Sequence, residues 1–158
     1  MLKPIVSERL LMEPLTQTTA RRLIEGDLEG LTVGEGFPPP GLAGHLENAL
    51  SEGYEPGWIV TMYETAIGFC GPASPVSPEG DVDLHFEIGP KYRGLGHGRA
   101  LARAVSNYLL VQPGVQRVVV SHVPLDAAAC RRVLERVGFE LLTTNDMFAS
   151  YGRHRIQH

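Results

Sequence analysis

Residues 84–111, LHFEIGPKYRGLGHGRALARAVSNYLLV, leave the chain few ways to fold. Leu84, Phe86 and Ile88 alternate with Asp83, His85 and Glu87, the period-2 pattern of a half-buried strand. Gly89-Pro90 ends that pattern. Three glycines then fall within the six residues Arg93-Gly94-Leu95-Gly96-His97-Gly98, directly ahead of Leu101, Ala104, Val105, Tyr108 and Leu109 at helical spacing. A strand, a flexible turn and a helix start together make a place where an anion can be held. Glycine lets the backbone turn sharply and approach a ligand, and the first N–H groups of a helix have no internal acceptor. Arg93 adds a fixed positive charge suited to phosphate oxygens.

Two familiar phosphate loops are excluded by spelling. A Walker loop needs GK[ST], and no Lys-Ser or Lys-Thr pair follows these glycines. A Rossmann fingerprint needs G-x-G-x-x-G, but after Gly94-Leu95-Gly96 the third glycine comes one residue early. No Asp or Glu stands about 20 residues on to hold a ribose. A nucleotide-phosphate binder using this loop is therefore disfavoured.

Length and charge narrow the classes further. The 158 residues suffice for one domain, 1–158, with its own core. A net charge of −4 without a long basic run argues against nucleic acid as a partner. MLKPIVSERL holds no apolar leader core, and nowhere do about 18 apolar residues run together. No membrane association and a cytoplasmic location are expected. Cys70 and Cys130, with no CxxC, read as reduced thiols. His85-x-Glu87 has no usual metal spacing and HExxH is absent, so no metal is expected.

Along the chain, Glu8–Glu13 reads as a short strand and Thr16 as N-cap of a helix over 17–26. LTVGEGFPPPG (31–41) must be a loop, because Pro38-Pro39-Pro40 removes three donors. A helix follows over Leu42–Ser51. Trp58–Tyr63 and Thr65–Cys70 form a hairpin around Glu64, and a proline-rich link (71–80) leads into the Leu84 strand. Gln116–Val123 is a buried β-branched strand ended by Pro124. Asp126 is the expected cap of a helix over 127–137, with Gly138 at its left-handed end. Phe139–Thr144 and Met147–Tyr151 pair last, and the tail GRHRIQH has little to pack against. The unit from 84 to 123 is a right-handed crossover, hence locally parallel, in an otherwise antiparallel sheet. The fold class is α/β: a mixed sheet of six to seven strands with helices on both faces.

Arg93, Gly96 and Gly98 also spell [Q/R]-x-x-G-x-[G/A], and with Pro90-x-Tyr92 they resemble the acetyl-CoA loop of GNAT-type N-acetyltransferases. SERLLMEPL (7–15) is similar to the opening strand of the RimJ/RimL-like branch, and VLERVGF (133–139) to its closing segment. The resemblance implies the GNAT acyl-CoA N-acyltransferase fold, whose central parallel strands splay to admit the cofactor. It implies acetyl-CoA as cofactor and a primary amine, on a protein N-terminus or a small molecule, as acceptor. The amine would attack the thioester while both are bound. Backbone N–H groups of Gly94, Leu95, Gly96, His97, Gly98 and Arg99, with the Arg93 guanidinium, would then hold the pyrophosphate. The pantetheine arm would pair with the backbone of Phe86, Glu87 and Ile88, and an N–H near Ile88 would meet the developing oxyanion.

For the base, Asp83 comes first by position and Glu87 second, with His85 between them; a polar outer strand face is the plain alternative. For the acid the chain departs from the family: Ala127 stands where Asn is common, Cys130 where Ser is, and Leu134 where Tyr is. Cys130 can serve as proton donor or as a core residue. His122 reads as a core histidine near the splay or, alternatively, as a residue facing the acceptor, and Tyr151 as a substrate contact from the last strand. In the family the segment containing Phe37 walls the acceptor site. These departures keep a second class open, a catalytically degenerate acyl-CoA-binding sensor module. Edge strands near the C-terminal hairpin suggest a homodimer.

Overall fold

The structure, a computed structural model, describes residues 2–156. Thr16 accepts a 3.1 Å bond from the Thr19 N–H and so starts α1 (Gln17–Ile24). The triple proline keeps 31–41 irregular, and α2 (Leu42–Glu52) runs until Gly53 turns left-handed. β3 (Trp58–Met62) and β4 (Thr65–Pro72) are joined by Tyr63-Glu64, both at positive φ, the two-residue hairpin turn whose twist suits its strands.

β5 (Asp81–Ile88) leads through a single turn at Pro90–Tyr92 into α3 (His97–Leu110). Then follow β6 (Arg117–Pro124), α4 (Ala128–Val137), β7 (Glu140–Thr144) and β8 (Phe148–His154). The expected opening strand is two. Glu8 takes a left-handed φ of 54° and folds β1 (Ile5–Ser7) back on β2 (Leu10–Pro14). This adds one strand to the expected seven, for eight among the described residues.

The sheet order is β1-β2-β3-β4-β5-β6-β8-β7, and β5/β6 is its parallel pair. α1 and α2 cover one face through Leu23, Leu42 and Leu46, packed on Ile59 and Phe69. α3 and α4 cover the other through Leu101, Val105 and Leu134, against Val60, Val82 and Val118. Helices on both faces of a mixed sheet are what the crossover pattern predicted. Among the described residues no helix is long and apolar enough to cross a membrane.

Two local expectations fail. Asp126 does not cap α4; Ala127 holds the N-cap position and makes no side-chain bond. The tail is also not loose. Gly152–His154 continue β8, Arg153 donates to Ser106 Oγ (2.6 Å), and Arg155 donates to the carbonyls of Leu110 (2.7 Å) and Gln112 (3.0 Å). Guanidinium groups reaching α3 were not legible as packing in a seven-residue polar tail. Gln157 and His158 lie outside the described residues.

Two glycines give opposite predictions. Gly57 has φ 103°, and an added Cβ would fall on the Cys70 carbonyl and Gly71 Cα. Gly57→Ala should lose at least about 2 kcal/mol in urea melts. Gly44 lies exposed inside α2 with open space around it, so Gly44→Ala should gain about 0.5–1 kcal/mol by the same measurement.

Candidate active site

β5 is asymmetric along its edges. Toward β4 it is paired from Leu84 to Ile88, yet toward β6 it is paired only at Asp81↔Arg117, Val82↔Val118 and Asp83↔Val119. Arg117 fastens the foot of this pair, its Nε and Nη2 reaching both Asp81 carboxylate oxygens at 2.9 and 2.7 Å. Beyond Asp83 the strands part. A cleft of about 500 Å³ opens between Asp83–Phe86 on one side and Val120–Pro124 on the other, with Ala73 and Cys130 completing it. The β6-facing edge from Leu84 to Ile88 has no strand partner, as a backbone meant to take an extended ligand requires.

The glycine loop lies just past this edge. Arg93 turns back and donates from Nε to the Ile88 carbonyl (3.0 Å), leaving its terminal nitrogens exposed. Gly94 and Gly96 take left-handed φ values of 78° and 83°, which only glycine adopts without strain. Ala100 is the first residue of the turn whose N–H finds an acceptor, the Gly96 carbonyl at 3.2 Å. The amides of residues 94–99 have none among the described residues. A Cβ on Gly94, Gly96 or Gly98 would meet nothing within 4 Å, so the space above the loop is open. Leu95 and Arg99 are exposed, whereas the His97 side chain is buried and offers this space only its backbone.

The polar face of β5 looks toward α2. Asp83 is half-buried, and its carboxylate accepts no hydrogen bond among the described residues; its backbone is held by Ser74 Oγ (3.0 Å) and the Ala73 N–H (2.8 Å). Burial pushes the Asp83 carboxyl up, His122 opposes the shift and Asp81 adds to it. Glu87 does not line the cleft. Its Oε1 accepts from His85 Nε2 at 3.2 Å, and His85 does line it. The His85 ring packs edge-on against Phe69 (5.0 Å) and against His45 (5.3 Å). His45 is itself buried and bonded to the Pro56 carbonyl at 2.8 Å.

Loop 31–41 crosses the end of this strand. It is tied to β4 by Gly34 N–H to Ala66 O and Ala66 N–H to Thr32 O, both 2.8 Å. Gly34 lies under the Tyr92 ring, Gly36 against Pro90, and Gly41 against the Glu87 carboxylate and His85. Phe37 is buried with α1 and α2 and does not wall the cleft.

Among the remaining candidates, Cys130 lines the cleft half-buried, and burial pushes its thiol up, so it stays protonated at neutral pH. Leu134 is core. Tyr151 is fully buried, its Oη accepting from Arg131 Nε (2.8 Å), so it is not the expected substrate contact and does not line the cleft. His122 is exposed, not a core histidine. A bulge between Val120 and Val123 puts it at φ 58°, turned onto the Phe148 ring (5.4 Å) and into the cleft lining. Tyr54 was missed: its buried hydroxyl has no hydrogen-bond partner among the described residues, and burial, Glu52 and Asp83 push the phenol up. No sequence pattern marks either a bulge or an orphan hydroxyl.

Residues 9–140 match the family of the acetyltransferase (GNAT) domain. The chain belongs to the GNAT acetyltransferases. Similar solved structures include a ribosomal-protein α-N-acetyltransferase, RimL, in complex with coenzyme A (TM-score 0.69, 14% identity, 96% of this chain and 98% of that one). A chimeric spermidine N-acetyltransferase from Vibrio cholerae gives TM-score 0.66 at 14% identity over 94% and 96%. An aminoglycoside acetyltransferase in complex with coenzyme A gives 0.60 at 19% over 92% and 95%. At these identities the likeness is one of fold, and it runs the length of the chain. No match is found among curated proteins. Membership makes the protein an acetyl-CoA-dependent acetyltransferase. The unbonded amides of 94–99, the open space above their glycines and the unpaired edge of β5 fit a diphosphate joined to an extended arm.

His45 makes part of this architecture sensitive to acid. Burial chiefly holds its pKa down at about 4, against an ordinary 6.5; the Pro56 bond opposes this, and the charge of His85 adds to it. The unfolded chain therefore binds the proton first, and stability falls as pH drops from 6.5 toward 4. Between pH 7 and 4.5, wild type should lose about 2 kcal/mol more than His45→Gln, measured by urea melts at each pH.

Proposed function

We propose that this GNAT protein, as one domain spanning 1–158, transfers acetyl from acetyl-CoA directly to a primary amine in a ternary complex. The observation that carries this reading is the continuity of the opened β5/β6 cleft with the loop of unbonded amides. Acetyl-CoA supplies the activated thioester. The amides of Gly94–Arg99 and the outer nitrogens of Arg93 bind its diphosphate, and the free edge of Phe86, Glu87 and Ile88 aligns the arm beside it. An amide near Ile88 faces the acyl oxygen.

Asp83, a carboxylate on the cleft that accepts no hydrogen bond among the described residues, attracts the acceptor's ammonium. The proton that this ammonium must lose departs toward the polar face of β5, where Asp83 opens on the cleft and Glu87 reaches it through His85. Cys130, kept as a thiol, is placed to protonate the leaving sulfur. The acceptor is an α-amino group of a protein or a small cationic amine.

Thiol release from acetyl-CoA, followed across a panel of such amines, checks this reading. Wild type should turn over at least one of them, and Asp83→Asn should lower kcat/KM by about tenfold or more. In calorimetry, Gly96→Ala should weaken CoA about five- to tenfold, because it forces a side chain into left-handed backbone. Tight CoA binding with no turnover on any amine would replace the enzyme with the sensor module. No CoA binding at all would remove both.

A further inference from the structure

We propose that His85 is the general base of the transfer and that Glu87 is its positioning residue. The inference rests on the amine-acetylation reading above. His85 lines the cleft, and one of its ring nitrogens is occupied: Nε2 lies 3.2 Å from Glu87 Oε1. A carboxylate can only accept, so Nε2 carries the hydrogen and Nδ1 holds a lone pair. No group among the described residues bonds to Nδ1. The ring is also fixed in orientation. Phe69 and His45 pack on it, and Gly41 closes over the Glu87 carboxylate so tightly that a Cβ there would overlap it. A base held by a hydrogen bond to a third group, with an unbonded ring nitrogen on a residue that lines the cleft, has the parts that proton abstraction needs.

The charges around the ring agree with this role. From its own strand, Asp83 and Glu87 share its face; from α2 comes His45, which burial keeps neutral and which brings no opposing positive charge. Across the cleft stand His122 of β6 and the Cys130 thiol of α4, and beyond α2 lies Tyr54. Asp83 has no second group to orient it, which suits it to attracting the ammonium. Protons balance as follows. An ammonium that becomes an amide gives up two protons. His85 Nδ1 takes one before the N–C bond forms; the other, lost from nitrogen once that bond has formed, restores the Cys130 thiol, whose own proton goes to the departing sulfur as the C–S bond breaks. The imidazolium then returns its proton to solvent.

Two measurements on the full chain test this. Long-range 15N–1H spectra of histidine-labelled protein, with the signal assigned by its loss in His85→Gln, should show the Nε2–H tautomer with bare Nδ1. Kinetically, His85→Gln should lower kcat about 100-fold or more and abolish the acid limb of the pH–rate profile, with CoA affinity within twofold of wild type. Glu87→Gln keeps an acceptor but removes the charge; it should lower kcat about tenfold and move that limb to lower pH. Gly41→Ala, whose Cβ would displace the Glu87 carboxylate and crowd the ring only at Cε1, should move the limb the same way. An Nδ1–H tautomer overturns the proposal, as does a His85→Gln enzyme that keeps kcat within threefold and retains the limb. A wild type inactive on every amine defeats the parent reading instead, and the tautomer spectrum still decides whether the pair exists.

Discussion

Three residue pairs of parallel ladder hold the middle of this protein together, and the ladder stops there. Everything at the site depends on that early stop. If β5 and β6 stayed paired to their ends, the edge from Leu84 to Ile88 would be satisfied by β6, and the cleft would close. The Arg117–Asp81 fork secures the last region in which the strands run together. The bulge at Ser121-His122 bends β6 where it leaves β5. A bulge sharpens the local twist and re-aims side chains, so one irregularity both opens the gap and turns His122 toward it.

The two faces of the sheet divide the work. The face under α3 and α4 is mainly apolar, and it ties the glycine loop to the core through Leu101 and Val105. The face under α2 carries a polar inset of His45, His85 and Glu87 around Phe69. Such an inset is tolerable only if its groups are partnered. His45 finds the Pro56 carbonyl and stays neutral, while His85 and Glu87 find each other. The glycines at 34, 36 and 41 let the opposing loop lie directly on the strand end, where any side chain would hold it off.

Much of this was legible in the chain itself, and the exceptions have physical causes. Period-2 alternation located β5, clustered glycines located the turn, and helical spacing located α3, because each is a local property of a few consecutive residues. The family resemblance pointed to the same glycine turn, whose amides the fold leaves unbonded among the described residues. What escaped were features fixed by tertiary neighbours: the left-handed turn at Glu8 that splits the first strand, the bulge that exposes His122, the inward turn of Tyr151. The candidate carboxylates show the same limit. Asp83 and Glu87 share one strand face in sequence, yet one opens on the cleft and the other is taken up by a histidine two residues away. A strand pattern gives the face of a side chain; it does not give its partner.

The docked tail gives α3 a second use for its polarity. Aligned peptide dipoles leave such a helix positive where it begins and negative where it finishes. At the finish, Arg155 lays its guanidinium on the carbonyls of Leu110 and Gln112. With a diphosphate at the start, the helix would sit between an anion and a cation, each matched to the pole it touches. The segment just before Ile156 thus neutralises the far terminus of the same rod whose near terminus leaves its amides unbonded among the described residues.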